Sequence, residues 1–189
     1  MVLFVNGCVR ENSRTLELAQ AVLEQIPDVV EEVHLYPDGP EGLNAEKLRL
    51  RDELLAKKDY DHPMFRFAKQ FAAADTIVMA APYWDLAFPA KMRAYLEEIT
   101  VSGITFRYGA DGIPKGLCRA KRLIYVTTAG GPIILNLGFD YVKTLAGAFY
   151  GIHDVSLIKA EGLDIRGADP AAILEQAKCE IPAVLNKQG

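Results

Sequence analysis

The sequence predicts an α/β fold in which one parallel sheet of five strands carries helices on both faces. Two observations support this prediction. Short apolar runs alternate along the 189-residue chain with longer segments whose apolar residues recur at helical spacing. A strand that is apolar along its length suits burial on both faces, which is the environment of a strand in a parallel sheet.

The first third of the chain contains two strands and two helices. Residues 2–5 are wholly apolar and predict strand one. Residues 16–26 place leucine, alanine, valine and isoleucine on one helical face, and Pro27 ends this first helix. Strand two is predicted at 29–35. The charged, leucine-rich residues 44–58 predict a surface helix.

The middle of the chain adds a strand flanked by helices. Residues 64–74 place Phe67 and Phe71 on one face of a helix. The apolar run 76–81 predicts strand three. Residues 89–99 again have helical spacing, which predicts the helix that follows this strand.

The last third repeats the alternation. Strand four is predicted at 122–128, a helix around 142–149, and strand five at 155–160. The final helix is predicted at 170–185, with its first position occupied by a proline. Because proline lacks an amide hydrogen, we expect Pro182 to kink or end this helix.

The number of strands favours one sheet order over another. Five parallel strands are typical of the flavodoxin-like order 2-1-3-4-5, whereas the dinucleotide-binding fold has six. In that order strands one and three are neighbours, so the loops that follow them lie side by side. The length and the absence of repeats or linkers predict one domain, 1–189.

Composition excludes several function classes. A net charge of −4 gives no support for nucleic-acid binding, and no apolar run approaches the ~20 residues that span a membrane. The three cysteines are widely separated and form no Cys-x-x-Cys pair, which argues against disulfides, zinc or an iron–sulfur cluster. We therefore expect a cytoplasmic protein without a metal.

The loop after strand one, residues 6–15, is the first candidate for ligand binding. It leads into helix one, and free amides at a helix N-terminus attract phosphate. Ser13 and Thr15 add hydroxyl donors, and Arg10 and Arg14 add positive charge. The dinucleotide fingerprint and the triphosphate P-loop are both absent. The alternative is that Asn12 or Ser13 merely caps the helix.

The loop after strand three, residues 81–90, is the second candidate. Tyr83 and Trp84 offer flat faces, and Asp85 offers an acceptor. Ligands of open α/β sheets bind at the carboxyl ends of strands, which is where this loop lies.

The loop after strand four, residues 127–132, is the third. Gly130 and Gly131 permit a close backbone approach to a ligand, or form only a turn. Together the three loops suit a flat ligand with one phosphate, and FMN has that outline. A flavin supplies its own redox chemistry, which explains why no nucleophile–base pair is visible and no catalytic side chain is predicted.

Five segments in order resemble the flavodoxin-like NAD(P)H dehydrogenase (quinone) family, which includes FMN-dependent azoreductases. These segments are 81–86, 103–108, 126–131, 149–152 and 160–162. The resemblance implies a homodimeric flavoenzyme that passes a hydride from NADH or NADPH, through FMN, to quinone- or azo-type aromatic acceptors. The cofactor-binding residues it indicates are Cys8, Arg10, Ser13, Arg14, Thr15, Pro82, Tyr83, Trp84, Asp85, Leu86, Thr128, Ala129, Gly130 and Gly131.

Phe106 and Tyr108 are predicted to contact the substrate or the partner subunit. They alternate with Ile104 in a pattern typical of a hairpin arm, closed by the turn 109–112. One interpretation is that the arm packs only on its own subunit. The other is that it reaches the cofactor of the partner.

Two residues depart from the family pattern. Cys8 stands where azoreductases have a serine, and Asp85 where they have an amide. An ionised carboxylate accepts but cannot donate hydrogen bonds, and beside a reduced flavin it would lower the potential unless it faces solvent. The stretch 38–62 matches no family segment. Two alternatives to the enzyme stay open: a flavodoxin-type electron carrier, and a related module that has lost its cofactor.

Overall fold

The computed structural model describes residues 1–37 and 39–186, and in it five parallel strands form one sheet. The sheet order is β2-β1-β3-β6-β7, which is the predicted 2-1-3-4-5 when its strands are numbered along the chain. The strands are β1 (Val2–Asn6), β2 (Val30–His34), β3 (Thr76–Ala80), β6 (Arg122–Thr128) and β7 (Asp154–Ala160). A separate antiparallel hairpin consists of β4 (Phe106–Tyr108) and β5 (Pro114–Gly116).

Six α-helices lie within the described residues, and five of them cover the two faces of the sheet. They are α1 (Arg14–Leu23), α2 (Ala45–Lys57), α3 (Arg66–Ala73), α4 (Ala90–Ile99), α5 (Leu137–Leu145) and α6 (Pro170–Leu185). None of them is long and apolar enough to cross a bilayer.

Each face of the sheet has its own apolar core. On one face Leu18 of α1 packs in a cluster with Ile181 of α6. On the other, Phe71 of α3, Met92 of α4 and Val142 of α5 belong to a second cluster. Burying apolar residues on both faces is what the uninterrupted apolar strands require.

Three local features differ from the predicted helices. The helix predicted at 64–74 begins as a 3₁₀ turn (Pro63–Phe65) before α3. The helix around 142–149 is α5 followed by a π-helical turn (Ala146–Tyr150). Pro182 does not end α6, which continues to Leu185, because proline removes only its own amide bond and the flanking turns still close. Asp38, the first residue of the stretch 38–62 that matches no family segment, lies outside the described residues, as do the last three of the predicted 1–189 domain.

Strand register brings the candidate loops to one edge. Asn6 at the end of β1 pairs with Ala80 at the end of β3, and Ala80 pairs with Val126 near the end of β6. Because all three strands run parallel, the loops that follow them emerge side by side.

Candidate ligand-binding cleft

A cleft of about 330 Å³ lies at the carboxyl edge of the sheet. The loops after β1, β3, β6 and β7 form its walls. Ten of the predicted site residues line it: Arg10, Ser13, Arg14, Thr15, Pro82, Tyr83, Trp84, Thr128, Ala129 and Gly130. Four further lining residues were not predicted: Val9, Asn12, Leu163 and Asp164.

The start of α1 presents backbone donors to this cleft. Ser13 is the N-cap, and its hydroxyl accepts a bond of 3.3 Å from the amide of Leu16. The amide of Glu17 makes the first intrahelical bond, 3.0 Å long, to the Ser13 carbonyl. The amides of Arg14 and Thr15 have no partner within residues 1–37 and 39–186, so they stay available to an anion.

Gly7 allows the loop after β1 to lie against β3. Its amide donates to the Ala80 carbonyl over 2.8 Å. A Cβ atom at this position would lie 2.9 Å from the same carbonyl oxygen, which is too close for any other residue without a shift. The glycine therefore fixes the path by which the chain enters α1.

Cys8 belongs to the apolar core and does not line the cleft. Its side chain packs in the cluster with α1 and α6, and only 1% of the residue is exposed. Burial raises the pKa of the Cys8 thiol to about 11, partly offset by a hydrogen bond with Ser13. Its amide donates to the Asn6 side chain over 3.0 Å. Cys8 therefore supports the loop from beneath.

Arg14 crosses the end of the cleft. Its Nη2 atom donates to Oδ1 of Asp164 over 2.7 Å. The other terminal nitrogen, Nη1, is buried and has no hydrogen-bond partner among the described residues. A buried donor without a partner is costly, so this nitrogen is a strong indication that a ligand acceptor belongs beside it.

Thr15 and Thr128 connect two walls of the cleft. Their hydroxyl oxygens lie 2.6 Å apart, and both residues are buried. The bond joins the first turn of α1 to the carboxyl end of β6, so the two walls hold each other in position.

The aromatic loop after β3 is held by two hydrogen bonds. The amide of Tyr83 donates to the Thr128 carbonyl over 3.0 Å, and the Tyr83 hydroxyl donates to the Leu135 carbonyl over 2.9 Å. Trp84 lines the cleft with 43% of its surface exposed. A ring at the mouth of a cleft with an exposed face can stack on a flat ligand.

Asp85 and Leu86 form a two-residue turn beyond Trp84. Both have positive φ, +50° and +67°, although neither is glycine. A turn of this kind requires the left-handed conformation at both positions, which is strained for a leucine. Asp85 is exposed and neither residue lines the cleft, so the Asp85 carboxylate faces solvent.

The glycine turn after β6 is fixed by the loop after β7. The amide of Asp164 donates to the Gly130 carbonyl over 2.8 Å, and the amide of Gly162 to the Gly131 carbonyl over 3.0 Å. A Cβ atom at Gly130 would collide with the Asp164 carboxylate. Gly130 thus permits this contact, while Gly131 does not line the cleft.

Glu161 fixes the next part of that turn. Its carboxylate accepts from the Ile133 amide and from Lys159, each over 2.8 Å. The hydrogen bond from Lys159 is the main cause that lowers the pKa of Glu161, so the carboxylate stays ionised.

The structure separates Phe106 and Tyr108 from the cleft lining. Phe106 is buried, and its ring makes an edge contact with Phe149 at 4.9 Å between centroids. Tyr108 is 57% exposed at the surface of the hairpin. Of the two, Tyr108 is the ring that another molecule can reach.

A larger cavity, about 440 Å³, lies between residues 39–43, α2, the start of α3 and α4. Its cations are already engaged: Lys47 lies 3.3 Å from Glu98, Arg51 donates to the Glu97 carbonyl over 3.3 Å, and the Arg66 guanidinium lies 4.3 Å from the centroid of the Phe67 ring. It shares no lining residue with the cleft. The smaller cleft is the better candidate because its donors are unpaired.

The loop after β7 is the part of the cleft that sequence reasoning missed. The rule that placed the other three loops at carboxyl ends applies equally to the loop after strand five. Applying that rule to strand five would have predicted that Leu163 and Asp164 lie at the cleft. Asp164 and Arg14 are 150 positions apart, and no sequence pattern predicts their contact.

Comparisons with known proteins agree with the architecture. The sequence model of a protein family described as a flavodoxin-like fold matches residues 1–185. A curated protein of Lachnoclostridium phytofermentans, named FMN-dependent NADH:quinone oxidoreductase, is 36% identical over 174 residues, which cover 88% of this chain and 87% of that one. FMN-dependent NADH:quinone oxidoreductase 2 of Clostridium acetobutylicum is 35% identical over 173 residues, covering 86% and 85%.

Solved structures show the same fold. An azoreductase from Bacillus anthracis strain Sterne superimposes with a TM-score of 0.82 at 24% identity and covers 99% of both chains. An FMN-dependent NADH-azoreductase from Bacillus anthracis strain Ames Ancestor, solved in complex with FMN, has a TM-score of 0.77 at 21% identity and covers 97% of both.

Proposed function

The chain belongs to the family with the flavodoxin-like fold whose model it matches, and from this premise we propose that it is an FMN-dependent NADH:quinone oxidoreductase. The single observation that supports this most is the cleft in which unpaired donors of α1 face an aromatic loop. Relatives above 30% identity over most of both chains carry that name.

The residues at one end of the cleft fit the phosphate of FMN. The free amides of Arg14 and Thr15, the Ser13 hydroxyl and the buried Nη1 atom of Arg14 are all donors. A phosphate group is an acceptor with negative charge, and it would satisfy them together. Arg10 adds a second cation to the same lining.

The other end of the cleft fits the ring system. Trp84 would stack on it, while Tyr83 is held by its two hydrogen bonds and keeps the loop in place. Ala129 and Gly130 are small enough for the backbone to approach the ring edge. Since Asp85 faces solvent, its charge has little effect on the ring.

The chemistry follows from this division of roles. Bound FMN supplies hydride transfer, which no side chain of the chain has to provide. The chain binds and orients it, and leaves the mouth open beside Trp84 for NADH and then for a flat quinone. The relatives are named for NADH, so NADH is the proposed reductant. Azo compounds are a further predicted acceptor class.

We also propose a homodimer whose interface borders the cleft. Exposed apolar side chains adjoin the aromatic loop: Leu86, Ile134, Leu135 and Leu137. They form one region because the Leu137 amide donates to the Leu86 carbonyl over 2.9 Å. Contiguous exposed apolar surface is typical of an interface. NADH as reductant and three free cysteines fit a cytoplasmic location.

The proposed function is tested with the purified chain and added FMN. We expect bound FMN to give a flavin absorption spectrum, NADH to bleach it anaerobically, and a soluble benzoquinone to restore it. Bleaching by a partner reductase but not by NADH would instead favour an electron carrier. No flavin binding at excess FMN would favour a module that has lost its cofactor.

A further inference from the structure

Asp164 lies at the mouth of the cleft, where a negative charge beside an anion site needs an explanation. We propose that Asp164 is a positioning residue for the cofactor phosphate: its ion pair with Arg14 orients the guanidinium so that the free edge faces the phosphate. The proposal rests on the proposed function, because it concerns the same cleft.

The geometry of Arg14 allows it to bind two groups at once. A guanidinium has donors on more than one edge of a rigid plane. Nη2 is taken by Asp164 at 2.7 Å, while Nη1 is buried without a partner among residues 1–37 and 39–186. A phosphate beside Nη1 therefore does not have to displace Asp164.

Asp164 is itself well anchored. Its amide donates to the Gly130 carbonyl over 2.8 Å, and the amide of Leu163 donates to the Ala129 carbonyl over 3.2 Å. Gly130 has no Cβ atom to collide with the Asp164 carboxylate. The backbone that carries this carboxylate is thus fixed on one wall, and the flexible Arg14 on the other wall is attached to it.

The negative charge of Asp164 acts in the opposite direction, by repelling a phosphate. That repulsion is weakened because 65% of the Asp164 side chain is exposed and its field is screened by water and salt. Arg14 is less exposed, at 37%, and has four side-chain torsions to order. Orienting Arg14 therefore outweighs the screened repulsion.

The test compares FMN with riboflavin, which has the same ring but no phosphate. In the full-length chain, Asp164→Asn keeps the size of the side chain and removes its charge. We expect this variant to bind FMN about fivefold more weakly, the upper range for an exposed ion pair, and to bind riboflavin as the wild type does. Dissociation constants are read from flavin fluorescence, and far-UV circular dichroism checks the fold.

A double-mutant cycle shows whether Asp164 acts through Arg14. Arg14→Ala should weaken FMN binding about 10- to 100-fold, as expected for a hydrogen bond to a charged group. Adding Asp164→Asn to Arg14→Ala should then cause no further loss, and binding should be unchanged or slightly tighter because only the screened repulsion is removed. Glu11→Gln is the matched control for Asp164→Asn. Glu11 is an exposed acid of the loop after β1, close in sequence to Arg14, and it does not line the cleft. Removing the Glu11 charge should leave FMN binding unchanged or make it slightly tighter.

The possible outcomes separate the two proposals. Tighter or unchanged FMN binding by Asp164→Asn would overturn the positioning role while leaving the proposed function intact. An equal loss for riboflavin would mean that Asp164 only supports the loop, and would overturn it too. A wild-type chain that binds neither flavin would overturn the proposed function and the positioning role together.

Discussion

The hydroxyl oxygens of Thr15 and Thr128 lie 2.6 Å apart at the floor of the cleft, and both residues are buried. This single bond joins the first turn of α1 to the end of β6, across 113 positions of the chain. The wall formed by α1, which would hold the phosphate, and the wall formed by the end of β6, which would lie beside the ring, are therefore joined by one hydrogen bond between side chains.

Thr128→Val should lower the free energy of unfolding by about 1–3 kcal/mol, because it leaves the buried Thr15 hydroxyl without a partner. Replacing both threonines by valine should cost less than this single change, since no orphaned hydroxyl remains. Urea unfolding of the cofactor-free protein measures both. Thr127→Val is the control: the Thr127 hydroxyl is buried without a partner among the described residues, so its loss should be neutral or stabilising.

Trp84→Ala should weaken FMN binding about fivefold while leaving the unfolding midpoint nearly unchanged, because the ring is partly exposed and stacks only on the ligand. Trp84→Phe should retain most of the affinity. Trp84 is the only tryptophan of the chain, so FMN bound beside it should quench the tryptophan fluorescence of the protein. Unquenched emission at saturating FMN would contradict this placement.

Leu86→Gly should stabilise the protein by about 0.5–1 kcal/mol, because it relieves a left-handed leucine at a cost of some unfolded-state entropy. Thermal unfolding in the background of the monomeric Ile134→Asp variant measures the change, because Leu86 also belongs to the proposed dimer interface. Glu24→Gly is the matched control, since Glu24 has φ of −59° and gains nothing from glycine, so this variant should be less stable than the wild type. Loss of stability in Leu86→Gly would show that the leucine side chain matters more than the backbone strain.

The cysteines should react with thiol reagents very unequally. Burial raises the pKa of Cys8 to about 11 and that of Cys118 to about 12, whereas Cys179 is exposed. At pH 8 we expect one fast-reacting thiol in the native protein and three in denaturant. Rapid labelling of Cys8 in the native state would contradict its placement in the core.

The same pKa shift predicts how stability depends on pH. A thiol whose folded pKa is raised favours the folded state while it is protonated, below its unfolded pKa near 9. That contribution is lost as the pH rises from about 9 through about 11, because the unfolded chain ionises its thiol in this range while the buried thiol stays protonated. The thermal midpoint should fall over this window, and it should fall less steeply in Cys8→Ala.

Ile134→Asp should convert the proposed homodimer into a folded monomer. Ile134 is 87% exposed beside the aromatic loop, and a charge there would be buried in the interface. Size-exclusion chromatography with light scattering measures the mass. Val29→Asp, at the amino end of the sheet and 74% exposed, is the control that should leave the dimer intact. A monomeric wild type would contradict the homodimer.

The sequence was sufficient for the sheet because β1 and β3 are nearly all apolar, helical segments separate the five strands, and one parallel order suits five such strands. It was also sufficient for the parts of the cleft that follow β1, β3 and β6, since the carboxyl-end rule needs only the position of a strand. The left-handed pair Asp85 and Leu86 could not be predicted, because neither residue favours that conformation as glycine does.

The direction in which a side chain points was the other feature that could not be predicted from the sequence. Cys8 and Thr15 both lie in the predicted loop and first turn, yet one enters the core and the other lines the cleft. A spacing pattern in an irregular loop does not specify which way a side chain points. The Arg14–Asp164 pair was hidden for a related reason, since it depends on where the loop after β7 folds back.

The distance along the chain between Arg14 and Asp164 has a consequence for biosynthesis. One wall of the cleft is synthesised first, and the other becomes available only after β7 has emerged from the ribosome and paired with β6. Contacts between such distant positions form late in folding. We therefore expect the nascent chain to have no complete phosphate site, so that the cofactor is acquired after translation by a sheet that has already assembled.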